Sequence, residues 1–400
     1  MIDLKKHTNI ALGYFLLAGL LGIFLRSFFV TSIPANFRHV VHAHSHIALL
    51  GWVYLGLNTL IYKMYFSETD QGKTYRRIFW FTQVTLLGML FTFPFTGYAA
   101  LSITFSTLFL FASYLFTWFA LKKTPLAYKR TYSFKCIKAS LWYLVFSSIG
   151  PWALGGIMAT LGKTSIWYKM AIYFYLHFQY NGWFLLALCG IFLYFLERKD
   201  LQLSKRSFQN FFKLLNAAVI LSFFLSVLWV EPHWIYYVLG AIGAGLQIWA
   251  FVVFFRMIKP FWKEAVPDFS PFVKFLLKLV GITLVVKLLM QLFSAHPYFA
   301  EIAFMYKDLV IGYLHWVFLG MVSIALFAFL KAANLLKFSK PDFWIYLAGF
   351  ILSEALIFYK GVSIWLELPF FNDYFKVLLT VSSLLPLSIG LMLARNLRKI

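Results

Sequence analysis

The chain has 400 residues, of which 62% are hydrophobic, 21% aromatic and only 12% charged, with a formal net charge of +22. Soluble domains carry about 25% charged and about 45–50% apolar residues, so this composition, with a mean hydropathy of +0.78, excludes an ordinary soluble enzyme and indicates a polytopic membrane protein. The basic excess accompanies no nucleic-acid motif and suits anionic lipid headgroups, so the expected partner is the lipid bilayer and not nucleic acid.

A membrane-crossing helix needs about 20 apolar residues. Stretches near that length occur at roughly 8–30, 40–62, 78–98, 101–121, 137–160, 170–196, 210–230, 234–256, 272–293, 306–330, 343–359 and 376–394. The fold class expected is therefore all-α, a single bundle of about twelve transmembrane helices spanning residues 1–400. The first stretch follows Lys5 and Lys6 but is too long for a signal-peptide core and has no small-residue cleavage site, so it reads as a retained helix. An even number of spans puts both termini on one side. Apart from Arg38, Lys163, Lys169, Lys307, Lys360 and Lys376, and the intrahelical Arg26 and Lys287, every lysine and arginine falls at the termini or in the loops on that side. The positive-inside rule makes that side cytoplasmic, in a cytoplasmic (inner) membrane. Cys136 and Cys189 fall near cytoplasmic helix ends and read as small packing residues without a disulfide.

The second stretch opens with HVVHAHSHIALLGW, residues 39–52, which holds four of the nine histidines. At about 100° per residue, His39, His42 and His46 share one stripe, whereas His44 points about 200° away from His42. Gly51 lies on the His44 face, where its missing side chain would admit a flat ring. His44 is thus the candidate inward ligand. The stripe, His42 and His46 above all, is either a second metal site or an exposed rim. The sixth stretch carries His177 in YLHFQYNGWFLL and the tenth carries His315 in DLVIGYLHWVFLGM, both in the outer half of the bilayer by this topology. Imidazoles delivered by several spans to one level are how bundles build heme and metal sites.

These motifs resemble subunit I of the heme-copper oxidases, closest to the cbb-type and nitric-oxide-reductase branches, which also has twelve helices and cytoplasmic termini. The family's second helix carries a low-spin heme ligand in a setting like LHTN, which AHSHIALLGW matches with His44. Its sixth helix carries a copper ligand, as in YGHNAVGFFL, and His177 stands in that place. Its tenth helix carries DxxIGHVHSGALGW, and the segment from Asp308 aligns with it without a gap: His315 keeps the low-spin ligand, and Tyr313 replaces the high-spin one. The His-His pair of the family's seventh helix has no counterpart in FFKLLNAAVILSFFLSVLWVEP, and His233 in EPHW stands alone.

The resemblance implies a low-spin heme b between His44 and His315, suited to electron transfer or a redox or nitric-oxide-linked respiratory role beside other respiratory-chain subunits or electron donors. It does not imply a held copper, because one imidazole is a poor copper site. Tyr313 either ligates iron as a phenolate or fills the place of a lost ligand. No Cys-x-x-Cys-His is present, so no covalent heme is expected. Two alternatives stay open: an active oxidase or nitric-oxide-reductase-like enzyme with a rearranged site around Tyr313 and His177, and a metal-ion or small-solute transporter using the outer stripe. A transporter would show matching breaks in its repeats, and the GPWALGG break of the fifth stretch has no twin in the eleventh. Glu354 and Lys287 lie inside spans. A structural hydrogen bond or a surface-reaching lysine is the plain reading, a proton relay the functional one. Trp52, Trp167, Trp183 and Trp316 read as interface or ring-packing aromatics.

Overall fold

The computed structural model describes residues 2–199, 203–261 and 269–398 and contains no strand among them. Each expected stretch is a helix. We label them α1 (Leu4–Ser27), α2 (Phe37–Tyr65), α3 (Gly72–Thr96), α4 (Ala100–Lys123), α5 (Tyr132–Thr160), α6 (Ile166–Glu197), α7 (Lys205–Val230), α8 (Ile235–Phe261), α9 (Pro271–Phe293), α10 (Lys307–Ala332), α11 (Lys340–Trp365) and α12 (Tyr374–Leu397). Eleven are long and apolar enough to cross a membrane, and α9 is a further 23-residue helix rich in leucine and valine. The protein is an all-α integral membrane protein. Parts of the basic loops after α6 and α8, including Lys263, lie outside the described residues.

Short polar side chains start these helices by accepting the first free backbone N–H groups. Asp3, Asn36, Thr131, Ser165, Ser204 and Ser270 each cap the helix that follows, and Ser339 with Asp342 forms a capping box on α11. The basic loop KKTPLAYKRTYSFK contains one short turn of helix, Leu126–Lys129. It is anchored by Glu197, whose carboxylate accepts from the Tyr132 and Ser133 amides at the start of α5.

Contacts group the helices into two units: α1–α4 with the end of α10, α11 and α12, and α5–α9 with most of α10. In the first, α1 is held on two faces. Tyr14, Ala18 and Gly22 meet α2, while Gly19 lies against Pro386 of α12. Trp52 stacks on Phe15 at 4.7 Å and donates to Ser323 Oγ at 2.8 Å. At the other end, Arg395 pairs with the buried Asp342 at 2.7 Å, and Asn396 bonds Asn9, joining α12 to α11 and α1. In the second unit, α5 and α6 meet at Gly182 and Gly190, and α7 and α8 at Gly240 and Gly243. Cys136 and Cys189 are buried free thiols there.

Two helices break in the same way. α5 is interrupted at Ser148, three residues before Pro151, and α12 at Ser383, three before Pro386. Proline removes a backbone donor and crowds the carbonyl four residues earlier. Beside each break a serine hydroxyl bonds back into its own helix: Ser148 donates to Val145 O at 2.6 Å and Ser383 to Leu379 O at 2.9 Å. The GPWALGG break thus has its twin in the twelfth helix and not in the eleventh.

The α7–α8 contact gives a paired test. A Cβ on Gly243 would meet the Ser222 backbone nitrogen, whereas one on Gly245 would meet nothing within 4 Å. Gly243→Ala should therefore destabilise by about 1–3 kcal/mol, the usual cost of overpacking, and Gly245→Ala should leave the melting temperature within error.

Candidate functional site

The three histidine-bearing helices share a local irregularity. In each, the α-helix widens into π-helical turns: Ile47–Tyr54 after His46, Phe178–Phe184 after His177, and Trp316–Ser323 after His315. π-helical turns are rare, are mostly single bulges, and concentrate at functional sites. A glycine stands five residues after the histidine each time, in HIALLGW, HFQYNGW and HWVFLGM. At Gly51 the space a side chain would need is filled by Tyr14 of α1, and at Gly182 by Tyr143 of α5. The pattern recurs every fourth helix, on α2, α6 and α10. Its sequence signal, histidine and glycine spaced by four residues, was legible but concealed by the crowd of neighbouring histidines. In this register His46, not His44, corresponds to His177 and His315.

The two faces of α2 meet different helices. His44 faces α1: its Nδ1 donates to Ala18 O at 2.8 Å, and the ring lies over Gly22, where a Cβ would come within 3.2 Å of Cε1. A carbonyl can only accept, so Nδ1 carries the proton and Nε2 the lone pair. Ligating histidines are oriented by this kind of bond. Gly51 does share the α1-facing side, as expected, but the ring seated there is Tyr14, because a phenyl ring fits the gap between close-packed helices.

The stripe faces α3. His39 Nδ1 lies 3.2 Å from Phe95 O, His42 meets Tyr98 edge-on at 4.5 Å, and His46 stacks on Phe93 at 4.5 Å. The turn carrying Tyr98 requires Gly97, at φ +58° with the His39 ring against it. The stripe is thus half-buried and not an exposed rim. It packs on aromatic rings, and no group of three His, Cys, Asp or Glu able to hold a metal occurs among the described residues. His42 and His46 are each committed to a ring contact on that face.

His177, Tyr313 and His315 all belong to the second unit, whereas His44 belongs to the first. Tyr313 is an electrostatic neighbour of Tyr180 on α6. Next to His315, Trp316 donates its indole N–H to Thr283 O of α9 at 3.0 Å. His177 sits in a polar nest. Its Nε2 donates to Val219 O at 2.8 Å, and its Nδ1 lies 3.3 Å from both Asn181 Nδ2 and Ser226 Oγ. Lys287 Nζ donates to Asn181 Oδ1 at 2.6 Å and to Gln247 Oε1 at 2.9 Å. Lys287 is only 1% exposed, which corrects the reading of a surface-reaching lysine. A short route to the bilayer surface would desert two good acceptors.

Both His177 nitrogens are spent within the protein, and an ammonium stands one amide away. The residues present therefore do not fit a copper ion: a dication there would meet a fixed cation and one preoccupied imidazole. Asn181, Ser226 and Gln247 escaped sequence reasoning, since lone amides and hydroxyls on three helices carry no spacing signal. Trp183 is fully buried, whereas Trp167 is exposed and suits an interface position.

In the first unit Glu354 of α11 is 1% exposed and is an electrostatic partner of Arg26 on α1, which accounts for two intramembrane charges at once. Set against models of known protein families and against curated proteins, the chain matches none.

Two outcomes follow from the nest. Asn181→Leu removes a charged hydrogen bond, worth about 1.5–3 kcal/mol, and should lower the melting temperature more than Ser226→Ala, since Asn181 still serves His177 Nδ1 in the latter. Protein expressed with excess copper should carry the metal only substoichiometrically by elemental analysis.

Proposed function

We propose that this protein is an integral membrane heme protein that binds a low-spin b-type heme through His44, with His315 as the second imidazole the sequence offers, and serves electron transfer. The observation that carries this reading is the His44 imidazole, oriented by its Nδ1–H on Ala18 O and bedded on Gly22, which puts the lone pair of the neutral ring on Nε2, as in oriented ligand histidines. His44 and His315 would hold the heme, which would supply one-electron transfer. The chain's own part is to orient the ring through Ala18 and to keep water from it with the apolar face of α1. The proposal includes cytoplasmic termini, a cytoplasmic membrane, and respiratory-chain subunits or electron donors as partners.

A second reading, a metal-ion or small-solute transporter, draws support from the recurrent histidine–glycine π turns and from the paired breaks of α5 and α12, since transporters are built from repeats with interrupted helices.

Absorption spectra of the detergent-purified protein separate the two. Sharp reduced α and Soret bands should appear with dithionite, be lost in His44→Ala and in His315→Ala, and persist in His177→Ala. A colourless protein from heme-replete cells would leave the transporter reading.

A further inference from the structure

We propose that Lys287 and Gln291 on α9 form a binding site for a small monovalent anion inside the second unit. The site is independent of the heme reading. An ammonium has three N–H donors. Two of those on Lys287 are taken by Asn181 Oδ1 and Gln247 Oε1, both neutral oxygens, which leaves one N–H and the whole charge to be met. The acids of the unit's described residues are engaged or placed elsewhere. Glu197 caps α5, Glu231 and Glu301 are exposed, and Asp308 opens α10. A cation buried in an apolar bundle without a counter-charge is strongly disfavoured.

The second observation is Gln291. It lies one turn along the same face of α9, about 6 Å further by helical rise. It is 6% exposed, and neither its amide nitrogen nor its amide oxygen has a hydrogen-bond partner. Buried amides are almost always bonded, so an orphaned one marks a missing water or ligand. Water alone would serve Gln291 but leave the Lys287 charge uncompensated. A cation is excluded by the ammonium itself. A halide-sized or nitrite-sized anion takes the remaining Lys287 N–H and the Gln291 N–H₂ together, and its single charge matches the single ammonium. The nest then reads as an anchor. Asn181 and Gln247 hold the lysine from α6 and α8, and the hydrogen bond of Asn181 to His177 ties that anchor to α7 through Val219 O.

The test uses the full-length protein in detergent, moved from gluconate to chloride at constant ionic strength, with unfolding followed by tryptophan fluorescence. The expected result is a saturable rise in melting temperature with chloride that sulfate does not reproduce. Gln291→Leu should raise the half-saturating chloride concentration at least tenfold. Asn181→Asp sets a carboxylate against Lys287, so its melting temperature in gluconate should be no lower than that of the wild type and should not respond to chloride. A flat chloride response in the wild type overturns the proposal, as does a wild-type response retained by Asn181→Asp. Should that variant fail to fold, an unchanged half-saturation in Gln291→Leu overturns it equally.

Discussion

In hydrocarbon a polar group can bond only to the protein around it, and that constraint organises this structure. Several buried side chains find their partner on a neighbouring helix. Ala18 O receives His44, Val219 O receives His177, and Thr283 O receives Trp316. The serines before Pro151 and Pro386 bond carbonyls of their own interrupted helices. Lys287 is the extreme case, a long side chain held inside the bundle by amides from two other helices. Such bonds fix which faces meet as firmly as apolar packing does, because lipid tails compete for apolar contact and cannot compete for these bonds.

Close approach is the other half of the same arrangement. A carbonyl on one helix can serve a side chain on the next only if the backbones come near, and glycine allows that. Gly22 beneath His44, Gly51 against Tyr14 and Gly182 against Tyr143 bring α1 to α2 and α5 to α6. The π turns work with these contacts. On α2 and α6 the histidine before the wide turn and the glycine within it meet different helices: His46 meets α3 and Gly51 α1, and His177 meets α7 and Gly182 α5. The recurrence on α2, α6 and α10 makes the histidine–glycine spacing a structural module. Its three copies have different surroundings: a backbone carbonyl and glycine for His44 beside the module of α2, an amide nest for His177, and a tryptophan-braced turn beside His315.

The difference between His44 and His177 bears on chemistry. His44 and His177 carry their protons on opposite nitrogens, because in one the carbonyl meets Nδ1 and in the other Nε2. The former keeps its lone pair on Nε2. The latter presents Nδ1 to an amide and a hydroxyl beside a buried ammonium. Two intramembrane imidazoles thus differ in tautomer, and only their bonding partners separate them.

Helix number, the approximate limits of every span and the all-α class were fixed by composition and by the length of apolar runs, because a membrane helix must bury its whole backbone in about 20 residues. Helical phase alone separated His44 from the His39, His42 and His46 stripe, and both sets do face different helices. What phase could not supply was the identity of the neighbour. It placed a flat ring at Gly51 where Tyr14 sits, a rim where Phe93, Phe95 and Tyr98 sit, and a surface-bound lysine where Asn181 and Gln247 hold Lys287. Those answers depend on residues distant in the chain, and lone amides, hydroxyls and carbonyls have no periodicity to announce them. The sequence determined that imidazoles and a lysine would enter the membrane. The tertiary structure decided what each one bonds, since a hydrogen bond is a matter of about 3 Å between two atoms, and no spacing along one helix sets that distance to another.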